Sequence, residues 1–289
     1  MQKVNPKKIV FKKQSQKKPG LEYKMVPPPD FLPISEGSNK LLNKKCIITG
    51  GDSGIGRAVA VAFANEGADV AILYLKQEEK DAKETAFYIN NVFQKDCLLI
   101  PTDISKENNC LNAVHKITKI FKSVDILVNN AAVHYPETDI SKINTKQLLK
   151  TFGVNIFSMF WMTKAVLPFL RKGSCIINTT SVTAYRGSGG LIDYSATKGA
   201  IVSFTRSLSA NLVAKGIRVN GVSPGPVWTP LVPSSFPPEK VSTYGTDCPM
   251  KRAGQPSEIA TAYVFLASND ASYISGQFIH VNGGEIVNG

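Results

Sequence analysis

Acidic residues are in short supply in this chain: 22 Asp and Glu stand against 34 Lys and Arg, leaving a formal net charge of +12 over 289 residues. Such an excess keeps an anionic partner in view and says nothing about fold. Long apolar runs are missing as well. Although 43% of the residues are hydrophobic, no uninterrupted stretch reaches the ~18–20 residues that span a bilayer, so no membrane association is expected. Histidine is rare, and the five cysteines (Cys46, Cys97, Cys110, Cys175, Cys248) are odd in number with no Cys-x-x-Cys. Neither set has metal-ligand spacing, so no metal is expected and the compartment is read as reducing. The basic N-terminus lacks the apolar run of ~7–15 residues of a signal peptide, "IVF" at 9–11 being its longest, which points to a cytoplasmic protein.

Half of the positive charge sits at one end. Residues 1–40 carry nine lysines against Glu22, Asp30 and Glu36, 9 − 3 = +6, and end in the proline-rich "VPPPD" and Pro33. With few apolar groups to bury, this segment reads as a mobile or extended arm, and residues 41–289 as a single domain. A lysine-rich arm is chemically able to bind nucleic acid. No aromatic interleaving or recognition motif accompanies it, so it is read as a solubilising or surface-packing arm and no nucleic acid is expected.

From residue 44 onward short apolar runs ("KCIITG", "DVAILYL", "CLLIPTD", "VDILVNNAA", "GSCIINTTS", "IRVNGVSPG", "QFIHVNGG") alternate with helix-length segments at 55–66, 76–92, 105–121, 145–171, 194–215 and 256–267. Strands apolar on both faces and separated by helices predict an α/β fold: a Rossmann-type, doubly wound, seven-stranded parallel sheet with helices on both faces. Ligands of such sheets lie at the carboxyl ends of the strands.

The first strand runs into "TGGDSGIG", residues 49–56. Gly50, Gly54 and Gly56 suit a tight turn, a close approach of backbone to a pyrophosphate and close packing of the following helix, whose N-terminus favours negative charge. The spacing is Gly-x-x-x-Gly-x-Gly with no Gly-Lys-Ser/Thr, which argues against a P-loop. Farther on, "DYSATKGA" places Tyr194 and Lys198 at i and i+4, on one helix face about 5–6 Å apart at Cβ. By itself that pair is equally an aromatic core residue beside a solvated lysine.

With "PTD", "NNAA", "NTTS", "YSATK", "SPGPVWT", "KRAGQPSEIA" and "SGQFIHVNGG" in order behind it, "TGGDSGIG" resembles the cofactor loop of the short-chain dehydrogenase/reductase family, over residues 44–289, about 85% of the chain. The subgroup it resembles comprises oxidoreductases related to glucose and ribitol dehydrogenases, which often carry an N-terminal extension. The resemblance implies a catalytic set of Asn155, Ser181, Tyr194 and Lys198. It also implies a cofactor site of Gly50, Asp52, Ser53, Gly54, Ile55, Gly56, Tyr74, Leu75, Lys76, Asp103, Ile104, Asn129, Ala131, Ala132, Tyr194, Lys198, Pro224, Gly225, Val227 and Thr229, and a homotetramer built on the helices at 145–171 and 194–215. Read as residues alone, Ser181 is also one more hydroxyl in a turn, Asp103 a helix N-cap, and the Asn129–Asn130 pair a strand terminator. Asn155 needs a reason, since asparagine within a helix costs about 0.6 kcal/mol relative to alanine. Ala132 stands where the family often has glycine.

The implied reaction interconverts a small carbonyl compound and an alcohol with NAD(P). Tyr194 is the general acid and base, its pKa of about 10 lowered by the Lys198 ammonium, Ser181 holds the substrate oxygen, and Asn155 holds a water. A catalytically silent cofactor-binding protein is the alternative. Tyr74 stands where NAD-selective members place a carboxylate, and Lys76 reaches toward a 2′-phosphate, so weak discrimination with a lean to NADP is expected. The segment 228–250 reads as a lid, with Trp228, Leu231, Phe236 and Tyr244 as its walls, and His134, Tyr135, Tyr185 and Arg186 as further lining.

Overall fold

The computed structural model describes residues 10–286. Lys45–Thr49 (β1) is buried from its second residue onward, and its side chains alternate between two cores: Ile48 belongs to one and Ile47 to the other. That period of two, with both faces apolar, is why the run reads as continuous rather than alternating. Asp69–Tyr74 (β2), Cys97–Pro101 (β3), Ile126–Asn129 (β4), Cys175–Thr179 (β5), Arg218–Pro224 (β6) and Phe278–Val281 (β7) complete one seven-stranded sheet. Its order is β3-β2-β1-β4-β5-β6-β7 and every pairing is parallel. The doubly wound fold read from the sequence is the fold found.

Gly54–Asn65 (α1), Glu79–Phe87 (α2) and Pro256–Ala267 (α9) lie on the Ile48 side. Glu107–Phe121 (α3), Ser158–Val166 (α5) and Ile192–Leu212 (α7) lie on the Ile47 side. Burying an aliphatic or aromatic side chain such as Phe63 or Ile117 contributes about 1.5–3 kcal/mol, and both are wholly enclosed. Because the chain winds outward from β1 in both directions, the turns after β1 and β4 part company and open a crevice at the carboxyl edge.

The segment expected as one helix at 145–171 is Thr145–Phe152 (α4), a π-helical stretch Gly153–Phe157, α5, and a 3-10 turn Leu167–Phe169. The whole run Thr145–Phe169 is long and apolar enough to cross a membrane by composition, with a mean hydropathy of 1.2 in its most apolar window, yet half of that window is buried in the protein. Two further short helices are Thr183–Arg186 (α6) and Pro238–Ser242 (α8), the second within the segment 228–250 read as a lid.

Of the N-terminal arm, residues 1–9 lie outside the described residues. The remainder is extended but not loose. Met25 is buried, the Phe11 ring stacks on Trp228 at 3.7 Å and 4°, and the Ser257 N–H donates to the Asp30 carbonyl at 3.0 Å. Of the two readings, mobile or extended, residues 10–40 take the extended, surface-packing one, and basic side chains dock along with apolar and acidic ones: Lys13 pairs with Glu239 and Lys40 with Asp270.

Candidate active site

The turn after β1 is held by backbone geometry that only glycine adopts without strain. Gly50 and Gly54 have φ of +65° and +53°, and a Cβ on Gly56 would stand 1.8 Å from the Gly50 carbonyl oxygen. Ser53 caps α1 with extended backbone, Ile55 packs against the core beneath, and Gly54 approaches Thr229, whose Cγ2 lies 3.1 Å from where its Cβ would be. Asp52 is buried. Its carbonyl accepts from Arg57 Nε at 2.8 Å and Thr85 Oγ1 at 3.0 Å, and burial pushes its carboxyl up to about 6.

At the outer end of the crevice, the Tyr74 hydroxyl donates to Glu79 Oε2 at 2.9 Å, and Lys76 Nζ reaches the same oxygen at 2.8 Å. The Leu75 N–H is held by Glu78 at 2.9 Å. A carboxylate therefore does stand by the end of β2, delivered by α2 rather than by the strand, and Lys76 is paired with it. Asp103 Oδ1 accepts from the Ser105 N–H at 3.0 Å and its hydroxyl at 2.6 Å, a turn-forming arrangement, and Ile104 is buried beside it.

At the inner end, Asn129 Nδ2 donates to Asn178 at 2.9 Å, while its Oδ1 is buried with no hydrogen-bond partner among the described residues. Ala131 and Ala132 are half-buried next to it. The Pro224 carbonyl accepts from the Val182 N–H at 3.1 Å. A Cβ on Gly225 would meet the Asn282 backbone at 2.7 Å, and Val227 is buried where the chain bridges to Gly254. A glycine-lined turn at a helix N-terminus, a free buried amide oxygen and an apolar inner wall fit a dinucleotide.

Ser181, Tyr194, Lys198 and Asn155 converge at this inner end. Ser181 follows β5, and its hydroxyl hydrogen-bonds the Tyr194 phenol. Lys198 is 1% exposed; its Nζ donates to the Thr179 carbonyl at 2.8 Å and lies 5.3 Å from the Tyr194 ring centre. Burial pushes Tyr194 up to about 12, against the Ser181 hydrogen bond, and burial pushes Lys198 down to about 7. The expected lowering of the phenol by the ammonium is thus reversed: desolvation by burial dominates, and the ammonium is turned toward the Thr179 carbonyl. Asn155 lies in the π-helical stretch, its Nδ2 donating to Val133 O at 2.9 Å and Thr197 Oγ1 at 3.1 Å and its Oδ1 accepting from the Val133 N–H at 2.8 Å. These bonds occupy the side chain and pin the loop after β4 to α7.

Comparison with known proteins gives the family and the fold. Residues 50–285 match the model of a family described as enoyl-(acyl carrier protein) reductase. The chain is 52% identical to a glucose and ribitol dehydrogenase of Daucus carota, covering 96% of this chain and 97% of that protein. It is 50% identical to the chloroplastic NADPH-dependent aldehyde reductase 1 of Arabidopsis thaliana, over 96% and 98%. The fold overlays on a short-chain dehydrogenase of Burkholderia cenocepacia in complex with NADP, with a TM-score of 0.79, 28% identity and coverage of 85% and 98%. The chain belongs to the short-chain dehydrogenase/reductase family. It is an oxidoreductase of that type.

Among the residues that shape the site of this short-chain dehydrogenase/reductase, Asp193 went unread in the sequence, and others named there take different roles. Asp193, 3% exposed, accepts from Thr151 Oγ1 at 2.8 Å and Gln147 Nε2 at 3.1 Å and so fastens the start of α7 to α4. Its place beside Tyr194 was the available signal. Asn130, rather than Asn129, ties the β4 end to the glycine turn, donating to Thr49 O at 3.1 Å. His134 is nearly enclosed, its ring 5.2 Å from Tyr194 and 5.3 Å from Phe236, with a ring nitrogen 3.4 Å from Leu231 O. Burial, with Lys18 and Lys198 nearby, drives its pKa down to about 3, so it is neutral. Trp228, expected as a wall of the opening, is instead fully buried against the arm, its Nε1–H donating to Pro27 O at 3.0 Å. Phe236 and Tyr244 remain on the lid with rings 6.0 Å apart, Tyr185 packs toward His280, and Arg186 pairs with Glu285.

Proposed function

We propose that the protein is an NAD(P)-dependent alcohol dehydrogenase or carbonyl reductase acting on a small aldehyde, ketone or sugar. The observation that carries this reading is the meeting of Ser181, Tyr194 and Lys198 beside the glycine-lined turn. The bound dinucleotide would supply hydride to, or accept it from, the carbonyl carbon. It would be held by the turn at Gly50–Gly56, by Asn129 and the Ala131–Ala132 backbone, by Lys198, and by the segment Pro224–Thr229. Tyr194, kept protonated by burial, gives its proton to the carbonyl oxygen in reduction and takes it back in oxidation. Ser181 donates to the same oxygen and fixes its distance from the phenol. Asn155 and Asp193 hold α7 in the position that lets both act.

The lean is to NADP, supported by the cofactor named for two of the proteins above. A 2′-phosphate would draw Lys76 away from Glu79, an exchange of one exposed ion pair for another, so discrimination is weak. The exposed rings of Phe157 and Phe160, beside a groove lined by Ile156, Ala200, Phe204 and Leu208, support a homotetramer built on that face. The test of the function is a screen of aldehydes, ketones and polyols with NADH and NADPH. Turnover is expected with at least one small carbonyl compound; tight dinucleotide binding with no turnover anywhere would favour the silent protein.

A further inference from the structure

The arm touches the site at two places, and the arm residues that do so lie outside the family's ordered motifs. At the first, Glu22 is 2% exposed and lies under the glycine turn. Its Oε2 accepts from the Gly54 N–H at 2.5 Å and its Oε1 pairs with Arg57 Nη1 at 2.8 Å. Arg57 in turn holds the Asp52 and Asp81 carbonyls, each at 2.8 Å, and the Asp81 carboxylate accepts the Glu22 and Tyr23 N–H groups at 2.8 and 3.0 Å. This is a closed ring of ion pairs and hydrogen bonds, and the first N–H of α1 is one of its members. A buried donor left without its acceptor is costly. Arg57 compensates the Glu22 charge from the interior side, so the carboxylate acts as a brace for the turn and not as a rival to a phosphate.

At the second contact the arm crosses the lid. The Val10 and Phe11 N–H groups donate to Ser242 O at 2.9 and 3.2 Å, and Gln16 N–H to Pro233 O at 2.8 Å. Phe11 stacks on Trp228. Lys18 reaches Ser235 Oγ and stands 5.0 Å over the Tyr135 ring at the opening. Gly20 lies against Pro230, where any side chain would collide with the carbonyl. Since Thr229 also abuts Gly54, one stretch of chain braces the turn and straps the lid that meets it.

Resting on the function proposed above, we infer that the arm is a working part of the active site: Glu22 is a positioning residue for the dinucleotide-binding turn, and residues 10–20 hold the lid over the substrate opening. The two contacts make separable predictions for the full-length enzyme. NADPH affinity is read by fluorescence titration, and carbonyl KM is read with whichever compound the wild type reduces. Glu22→Ala raises the NADPH Kd by about tenfold or more and Glu22→Gln, which keeps an acceptor for the Gly54 N–H, by less. In both variants kcat at saturating NADPH falls far less than the Kd rises. Phe11→Ala raises the carbonyl KM by about fivefold and leaves the NADPH Kd within twofold. If Glu22→Ala does not fold, as judged by its thermal melt, the Gln variant and Phe11→Ala carry the test. An NADPH Kd unchanged within twofold in both Glu22 variants, or a Phe11→Ala variant altered in Kd and not in KM, overturns the inference while the functional reading stands. A wild type that binds no dinucleotide overturns both.

Discussion

The inner and outer ends of the crevice are assembled in different ways. Ser181, Tyr194 and Lys198 come from one short span of chain, the end of β5 and the first turns of α7, and their partners Thr179 and Thr180 are near neighbours in sequence. The brace under the turn draws on separate segments instead: Glu22 from the arm, Asp52 and Arg57 from the turn and α1, and Asp81 from α2. The reacting groups need a few side chains at fixed spacing, which one strand end and one nearby helix provide. Shaping a loop of glycines, which resists order because glycine has the most freedom to lose, takes contacts gathered from all around it.

Removing a member from either end sharpens that contrast. Lys198→Ala is expected to lower kcat by about 10²-fold or more and also to weaken dinucleotide binding, since one ammonium serves both. A change in only one of the two, measured by steady-state kinetics and fluorescence titration, would divide the role. Arg57→Ala acts on stability rather than chemistry. It leaves Glu22 and Asp81 buried without their cation, at a cost of about 3–5 kcal/mol at pH 8 in denaturant unfolding. Burial already raises Glu22 to about 7 against the pull of Arg57 and the Gly54 N–H. Below that pH the folded variant takes up a proton, so the loss is expected to be smaller at pH 5.5 than at pH 8; a loss that grows on acidification would contradict the arrangement.

The pH dependence of turnover tests the inner end by itself. With Tyr194 up at about 12, the phenol stays protonated through neutral pH, and its basic form increases about tenfold per pH unit. Alcohol oxidation should therefore rise with pH up to about neutral and level off above it, where loss of the Lys198 charge offsets the gain in phenolate. Carbonyl reduction should hold below neutral and decline as Lys198, down at about 7, loses its charge above it. Initial rates in both directions from pH 5.5 to 9.5 test this, and parallel profiles would refute it. The smallest effect is expected at the outer rim. Lys76→Ala, removing an exposed cation paired with Glu79, should weaken NADPH by about three- to tenfold in kcat/KM and leave NADH nearly unchanged. An equal loss for both cofactors would move Lys76 out of the cofactor site.

What could be read in advance follows the same division. Strand and helix alternation, the glycine turn and the Tyr-x-x-x-Lys spacing are local patterns, so the sheet and the gathering of Ser181, Tyr194 and Lys198 were legible. Glu22 looked like one of three acids in a lysine-rich arm, because nothing near it in sequence shows that Arg57 and Gly54 lie across from it. Glu79 was missed for a related reason: the carboxylate was sought at the end of β2, and α2 brings it there from the next turn of chain. The direction of the Tyr194 shift was also misjudged, since spacing reports the distance to Lys198 but not how far both groups are removed from water. Trp228 was assigned to the opening by its place in the lid, whereas Phe11 and Pro27 of the arm claim it.

Tyr194→Phe bears most directly on the proposed chemistry, because it removes one oxygen and little else. With the carbonyl compound that the wild type reduces best, and with NADPH affinity measured on the same preparation, kcat is expected to fall by at least ~10²-fold while the Kd stays within about twofold. Turnover near the wild-type rate would contradict the assignment of Tyr194 as the group that carries the proton.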